Sequence, residues 1–143
     1  FVRRIHSLGI GEFFTFAGPT QRVSTFFQGA DVCVHPTYYD PCSRVVLEAL
    51  SYGLPAITTS FNGASEVITD GCEGFVIDTP ENLGLWARRI DELRSPELRR
   101  KMREKALLLR GRLSMERHVD ELEAVFREIA DRKKSQPTTG AAR

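Results

Sequence analysis

Cysteine is scarce in this chain, as are the marks of a metal or membrane protein. Cys33, Cys42 and Cys72 stand alone among 143 residues. An odd number cannot pair completely, and none forms C-x-x-C, so neither a disulfide framework nor a zinc site is expected; a reducing compartment is. His6, His35 and His118 lie far apart, and neither His6 nor His118 has metal-ligand spacing. No apolar run reaches the roughly 20 residues that cross a bilayer, and no secretory leader opens the chain. Net charge is only +1, so bulk charge indicates no nucleic-acid partner. What is present is ordinary for a globular domain: 41% apolar and 27% charged residues. The chain opens on Phe-Val-Arg-Arg without methionine and is expected to be part of something longer.

Apolar spacing predicts alternating helices and strands. Phe1 to Leu8 reads as a helix end stopped by Gly9. The aromatic stretch Glu12–Phe16 reads as a strand. Gln21 to Gln28 reads as a short helix with Val23, Phe26 and Phe27 inward. Strands are expected over 32–35, 54–58 and 75–78, with a helix over 42–52 between the first two of these. Beyond Asp78 the pattern is helical only. Thr79-Pro80-Glu81-Asn82 reads as a capped start with proline at the first helical position, followed by Leu83, Trp86, Ile90 and Leu93 at helical spacing. Ser95-Pro96-Glu97 repeats that start, with Leu98, Met102, Ala106 and Leu109 as a stripe that Gly111 ends. Ser114 is placed to cap a last helix with Val119, Leu122, Phe126 and Ile129 on one face. This alternation predicts an α/β doubly wound parallel sheet with a helical C-terminal tail. One domain is expected over 1–134, with a disordered polar tail over 135–143.

The helix over 42–52 carries the chemistry. Glu48 follows Asp40 by eight positions, roughly 12 Å at helical rise. Val45, Val46, Ala49 and Leu50 read as its buried face; Arg44, Glu48 and Ser51 form the polar stripe. Taken alone, Asp40 reads as an N-cap and Glu48 as a surface partner of Arg44. In a parallel α/β domain, however, the carboxyl ends of strands facing a helix N-terminus are where anionic ligands sit.

The order Asp40-x7-Glu48, then Ala-Leu-x-x-Gly-Leu-Pro, then Asn62-Gly63-Ala-Ser-Glu66 resembles the signature of retaining glycosyltransferases of the GT-B fold. It is most similar to the lipopolysaccharide-core glucosyltransferase-like members. The likeness runs from about Gly9 to Asp78. It implies a Rossmann-like half of a GT-B fold that binds a nucleoside diphosphate sugar, as a UDP-sugar. By that likeness Asp40, the catalytic candidate, meets donor-sugar hydroxyls. Glu48 holds the ribose diol, because one carboxylate accepts from both vicinal hydroxyls. Backbone N–H groups of Ser43, Arg44 and Val45 face the diphosphate. The loop at Gly18-Pro19, with Val23 behind it, receives the base. Two positions depart from the family pattern: Asp40 stands where Glu is usual, and Ser43 where Gly is usual.

Other residues border this segment. His35, before Pro36 at a strand end, is a candidate sugar contact or a packing residue. Glu66 matches the family's Gly-x-x-Glu or stabilises a helix dipole, and Asn62 and Gly63 belong to the same motif. A Cys42–His35 nucleophile lacks an orienting third group. The Arg94–Arg112 stretch has eight basic residues against two acidic ones. It reads as a solvated face, or as a dock for an anionic membrane surface.

The resemblance implies a hexosyltransferase in a longer protein. Its partners are an N-terminal acceptor-binding domain of the same parent and a nucleotide-sugar donor, with no metal cofactor. The acceptor is a glycan or lipid-linked sugar, as in lipopolysaccharide biosynthesis. The place is cytoplasmic, peripheral at the inner face of the membrane. Residues 1–143 alone are expected to be inactive, since the diphosphate-clamping Arg and Lys of relatives lie upstream. The alternative is a non-catalytic nucleotide-sugar-binding or interaction module of the same fold. A phospho-acceptor signalling domain ranks far lower, because Gly9–Asp78 holds no lysine and no paired acidic cluster.

Overall fold

The computed structural model describes residues 1–135. The elements in order are α1 (Val2–Ser7), α2 (Val23–Gly29), β1 (Cys33–His35), α3 (Arg44–Ser51), β2 (Ala56–Thr59), β3 (Gly74–Ile77), α4 (Leu83–Glu92), α5 (Pro96–Leu108) and α6 (Met115–Ser135). Short 3-10 turns lie at Gly11–Phe13 and Gly63–Val67. The three strands form one parallel sheet in the order β1-β2-β3, with Val34 opposite Ile57 and Ile57 opposite Phe75. The fold is therefore the expected Rossmann-like α/β arrangement, with helices flanking the sheet.

Strand β2 is buried along its whole length, as a central parallel strand must be. Its side chains alternate between two clusters. Ala56 packs with Val46 and Leu50 of α3 and Ala106 of α5. Ile57 packs with Phe75, Ile77, Trp86 and Met102. Gly74 is required at the β2–β3 contact, since a Cβ there would lie 1.9 Å from the Ala56 carbonyl oxygen. Arg89 lies over the Phe75 ring at 4.3 Å, fastening α4 to β3, and is held within α4 by Glu92 at 2.9 Å.

Some expectations change. Glu12–Phe16 is not a strand. Gly11–Phe13 winds into a turn closed by the Phe14 N–H on the Gly11 carbonyl. Phe14 is extended, but its stretch has no ladder partner among the described residues, and Phe13, Phe14 and Phe16 are exposed. Aromatic content raises strand propensity without supplying a neighbour to pair with. In α2 only Phe27 is buried; Phe26 points outward. Helix α3 begins at Arg44, and Val45 is exposed rather than part of the buried face. Asn82, not Thr79, caps α4 by accepting from the Leu85 N–H, so Pro80 stays outside the helix. Leu83 and Ile90 of the expected α4 stripe are exposed, while Trp86 and Leu93 are buried.

Ser95 and Pro96 start α5 as expected. Ser114 caps α6 by accepting from the Arg117 N–H at 3.2 Å. The α6 stripe Val119, Leu122, Phe126 and Ile129 is exposed. Of the tail expected over 135–143, Ser135 is the last residue of α6, and 136–143 lie outside the described residues. No helix among the described residues is long and apolar enough to cross a membrane.

Candidate functional site

The carboxyl ends of β1 and β2 meet the N-terminus of α3, and one buried side chain joins them. Asn62 is fully buried. Its Oδ1 accepts the Ser43 N–H at 3.1 Å and the Ala64 N–H at 3.0 Å, and its Nδ2 donates to Thr58 Oγ1 at 2.8 Å. Thr58 Oγ1 donates in turn to the His35 carbonyl, and Thr59 Oγ1 donates to the Thr37 carbonyl at 2.7 Å. Two buried threonines at the end of β2 thus hold the loop that leaves β1. The loop is also tied by backbone: Asp40 N–H donates to Phe61 O, and Gly63 N–H to Asp40 O. Gly63 sits so close that a Cβ would lie 1.9 Å from the Pro41 carbonyl oxygen.

This frame fixes Asp40. Its Oδ1 accepts the Cys42 N–H at 3.1 Å, and its Oδ2 lies 3.4 Å from Nε2 of His35. Both side chains are about 30% exposed, so they are held yet reachable. Asp40 therefore caps the turn into α3 with one oxygen and keeps the other, part-exposed, beside the imidazole.

Glu48 lies on the outer face of α3. Its carboxylate is 3.4 Å from the Arg44 guanidinium, in a pair whose members are 84% and 44% exposed. Such a solvent-screened pair contributes little stability, so Glu48 is free to exchange its partner. Ser51 Oγ donates to the Glu48 carbonyl.

The three expected amides do not remain equivalent. The Ser43 N–H is held by Asn62, which removes it from the diphosphate role expected for it. Ser43 itself is buried. The Arg44 and Val45 amides form no hydrogen bond among the described residues, as befits the first turn of a helix.

The remaining candidates fall around this centre. Val23 is half-buried and packs with Phe27, Ala49 and Leu54, beside Glu48 in the chain. Gly18 takes a left-handed φ of +68°, and both it and Pro19 are exposed. No hydrogen bond among the described residues ties either to the Asp40–Glu48 segment. Glu66 is exposed in the turn after Asn62. Asn62 and Gly63 prove to be framework. In the basic stretch, Arg94, Arg99, Arg100 and Lys101 pair with acids. Arg99 also donates to the Leu93 and Arg94 carbonyls, closing the end of α4. Sequence reasoning missed the two threonines; their signal was a Thr-Thr pair at a strand end, four residues before a buried asparagine.

The chain matches the family described as glycosyl transferases group 1 over residues 1–109. The D-inositol 3-phosphate glycosyltransferase of Mycobacterium leprae is 33% identical over 94 residues, 64% of this chain and 22% of that protein. Among solved structures, sucrose-phosphate synthase from Thermosynechococcus elongatus aligns with a TM-score of 0.81 at 22% identity, over 90% of this chain and 33% of that one. WaaG, a glycosyltransferase involved in lipopolysaccharide biosynthesis, aligns with a TM-score of 0.69 at 29% identity, over 74% and 29%. HepE of Anabaena, in complex with UDP-glucose, aligns with a TM-score of 0.70 at 19% identity, over 94% and 35%. This chain thus spans between 22% and 35% of the length of these proteins.

Proposed function

The chain belongs to the group 1 glycosyl transferases, and on that premise we propose that it is the donor-binding domain of a retaining enzyme. The parent protein moves a hexose from a nucleoside diphosphate sugar to a glycan or lipid-linked acceptor. The observation that carries this reading is the pair of carboxylates set around α3. Asp40 is held at the strand ends, and Glu48 lies on the exposed helix face with only a screened partner.

In this reading Glu48 releases Arg44 and accepts both ribose hydroxyls. The free Arg44 and Val45 amides, at the positive end of α3, meet the diphosphate as it gains charge on leaving. Asp40 takes donor-sugar hydroxyls with the oxygen that faces His35, and His35 fixes its direction. Gly18, Pro19 and Val23 receive the base. Glu66, beyond the Asn62 bridge, reaches the sugar. No metal is assigned; amides and basic side chains neutralise the diphosphate. UDP is the favoured donor nucleotide, supported by the UDP-glucose complex of HepE. The WaaG likeness supports a cell-envelope acceptor at the inner membrane face, reached from an N-terminal acceptor domain of the parent. Lys105 and Arg110 of the Arg94–Arg112 stretch, which have no acidic partner among the described residues, serve that anionic surface.

The test is sugar transfer by the full-length parent from a panel of UDP-, GDP- and ADP-sugars. One donor class should turn over, and Glu48→Ala should weaken its binding while the fold persists. Absence of both binding and turnover with every nucleotide sugar would overturn the reading.

A further inference from the structure

Asp40 pairs with Asn62 in an isolated parallel bridge, so the residues before them, Tyr39 and Phe61, are neighbours in the same register. Side chains alternate across such a strip. Asn62 turns into the core, and Phe61 and Tyr39 turn out to solvent, 51% and 80% exposed. Tyr38, one residue earlier, is 66% exposed. Three large rings thus stand open at the carboxyl ends of β1 and β2, where the core uses none of them.

The backbone under them is fixed. Thr59 Oγ1 donates to the Thr37 carbonyl at 2.7 Å, the Tyr39 N–H to Thr37 Oγ1 at 3.2 Å, and the Asp40 N–H to the Phe61 carbonyl at 3.2 Å. Tyr38 is held at its far end too. Its hydroxyl donates to the Glu81 carboxylate, a bond that raises the phenol above its ordinary value. Glu81 also accepts the Thr79 hydroxyl. Beside Phe61, the exposed Ser60 hydroxyl donates to the Asp78 carbonyl at 3.1 Å. Ring faces are therefore bordered by hydroxyls and a carboxylate. That pattern matches a pyranose, which has a face of polarised C–H bonds and an edge of hydroxyls. The negative π face attracts the first, and the polar rim pairs with the second.

We propose that Tyr38, Tyr39 and Phe61 form a platform on which a pyranose ring of the acceptor glycan stacks; the proposal rests on the reading of Asp40 as donor-sugar ligand. Transfer requires the acceptor hydroxyl within about 3–3.5 Å of the donor's anomeric carbon. The acceptor must therefore lie against what borders Asp40, and Tyr39 is covalently next to it. Aromatic side chains suit this task, since each offers broad contact area and loses only two torsions on ordering. The platform gives this domain a share in acceptor choice, which a donor site alone would not have.

The test titrates the purified chain, with and without UDP, with maltose, lactose and methyl α-mannopyranoside, following amide shifts and saturation transfer. The variants are Tyr39→Ser, Phe61→Ser, their combination, Tyr39→Phe, and Phe126→Ser as an exposed aromatic on α6. At least one sugar should shift the amides of Tyr38, Tyr39 and Phe61, with an affinity on the order of tens of millimolar. Each serine variant should weaken that sugar severalfold, and the combination should remove the response. Tyr39→Phe should keep it, because the ring makes the contact. UDP affinity and melting temperature should hold in all variants, since every substituted ring is exposed. No response to any sugar would assign the rings to packing against the rest of the parent protein and overturn the platform. Wild-type sugar binding in the double variant, or an equal loss in Phe126→Ser, would overturn it as well. If UDP binds and the sugars fail, the platform falls and the donor site stands. If UDP fails to bind, the donor reading falls and takes the acceptor role with it.

Discussion

Asn62 holds Ser43: its buried side-chain oxygen accepts the Ser43 N–H at 3.1 Å, locking the start of α3 to the loop after β2. The two residues are nineteen apart in sequence, and their bond sets where the helix points. Everything assigned to Asp40, Arg44 and Val45 depends on that direction.

Asn62→Ala should therefore destabilise the fold by about 3 kcal/mol, since it strands the Ser43 and Ala64 amides in a buried place and removes the donor to Thr58 Oγ1. Asn62→Asp keeps the acceptor and should cost less. Urea unfolding of the three proteins checks this. Equal midpoints for Asn62→Ala and wild type would mean that the bridge does not organise the site.

Glycine substitutions should separate by position. Gly63→Ala and Gly74→Ala each place a methyl 1.9 Å from a backbone carbonyl oxygen, and backbone cannot give way as a side chain can. Each should cost about 3 kcal/mol or more. Gly29→Ala, at a helix end with nothing within 4 Å, should be neutral or slightly stabilising. Thermal melts of the three variants give the comparison.

These two sites also show how much the sequence made legible. The Asp40-x7-Glu48 spacing and the strand–helix alternation located the helix and its carboxylates, because local periodicity encodes both. Asn62 and Gly63 were recognisable as a motif, but their framework role was not, since it arises from contacts nineteen and more residues apart. Glu12–Phe16 was misread because propensity cannot reveal whether a neighbouring strand exists. Val45 was misplaced because at 3.6 residues per turn it falls at the edge of the Val46, Ala49 and Leu50 stripe, where the helix surface turns to solvent.

Thiol reactivity should follow burial. Cys33 packs in the core and its thiol pKa is raised by burial, whereas Cys42 is exposed. Burial disfavours the thiolate, so at a pH near 8 Cys33 should be alkylated after Cys42. The same sign makes the Cys33 contribution to stability complete below the ordinary thiol value and lost as pH rises through the raised one. Peptide mass spectrometry after timed iodoacetamide treatment reads the order; faster labelling of Cys33 would contradict its placement.

Asp40→Asn should leave stability nearly unchanged, since asparagine caps as aspartate does. Turnover by the full-length parent should fall, with less effect on free nucleoside diphosphate binding. Wild-type turnover in Asp40→Asn would reduce Asp40 to a cap.

Amide-shift mapping of the chain with UDP tests donor binding at α3 most directly. Binding there requires the largest shifts at Asp40, Arg44, Val45 and Glu48, with a smaller response near Val23. Affinity should be weak, on the order of high micromolar to millimolar, and should drop in Glu48→Ala by roughly 1.5–3 kcal/mol. The exposed Arg44 pair is worth little to the fold, so the variant's melting temperature should hold. Shifts confined to the cavity at Pro55 and Arg103, on another face of α5, or no shifts at millimolar UDP, would contradict donor binding at α3.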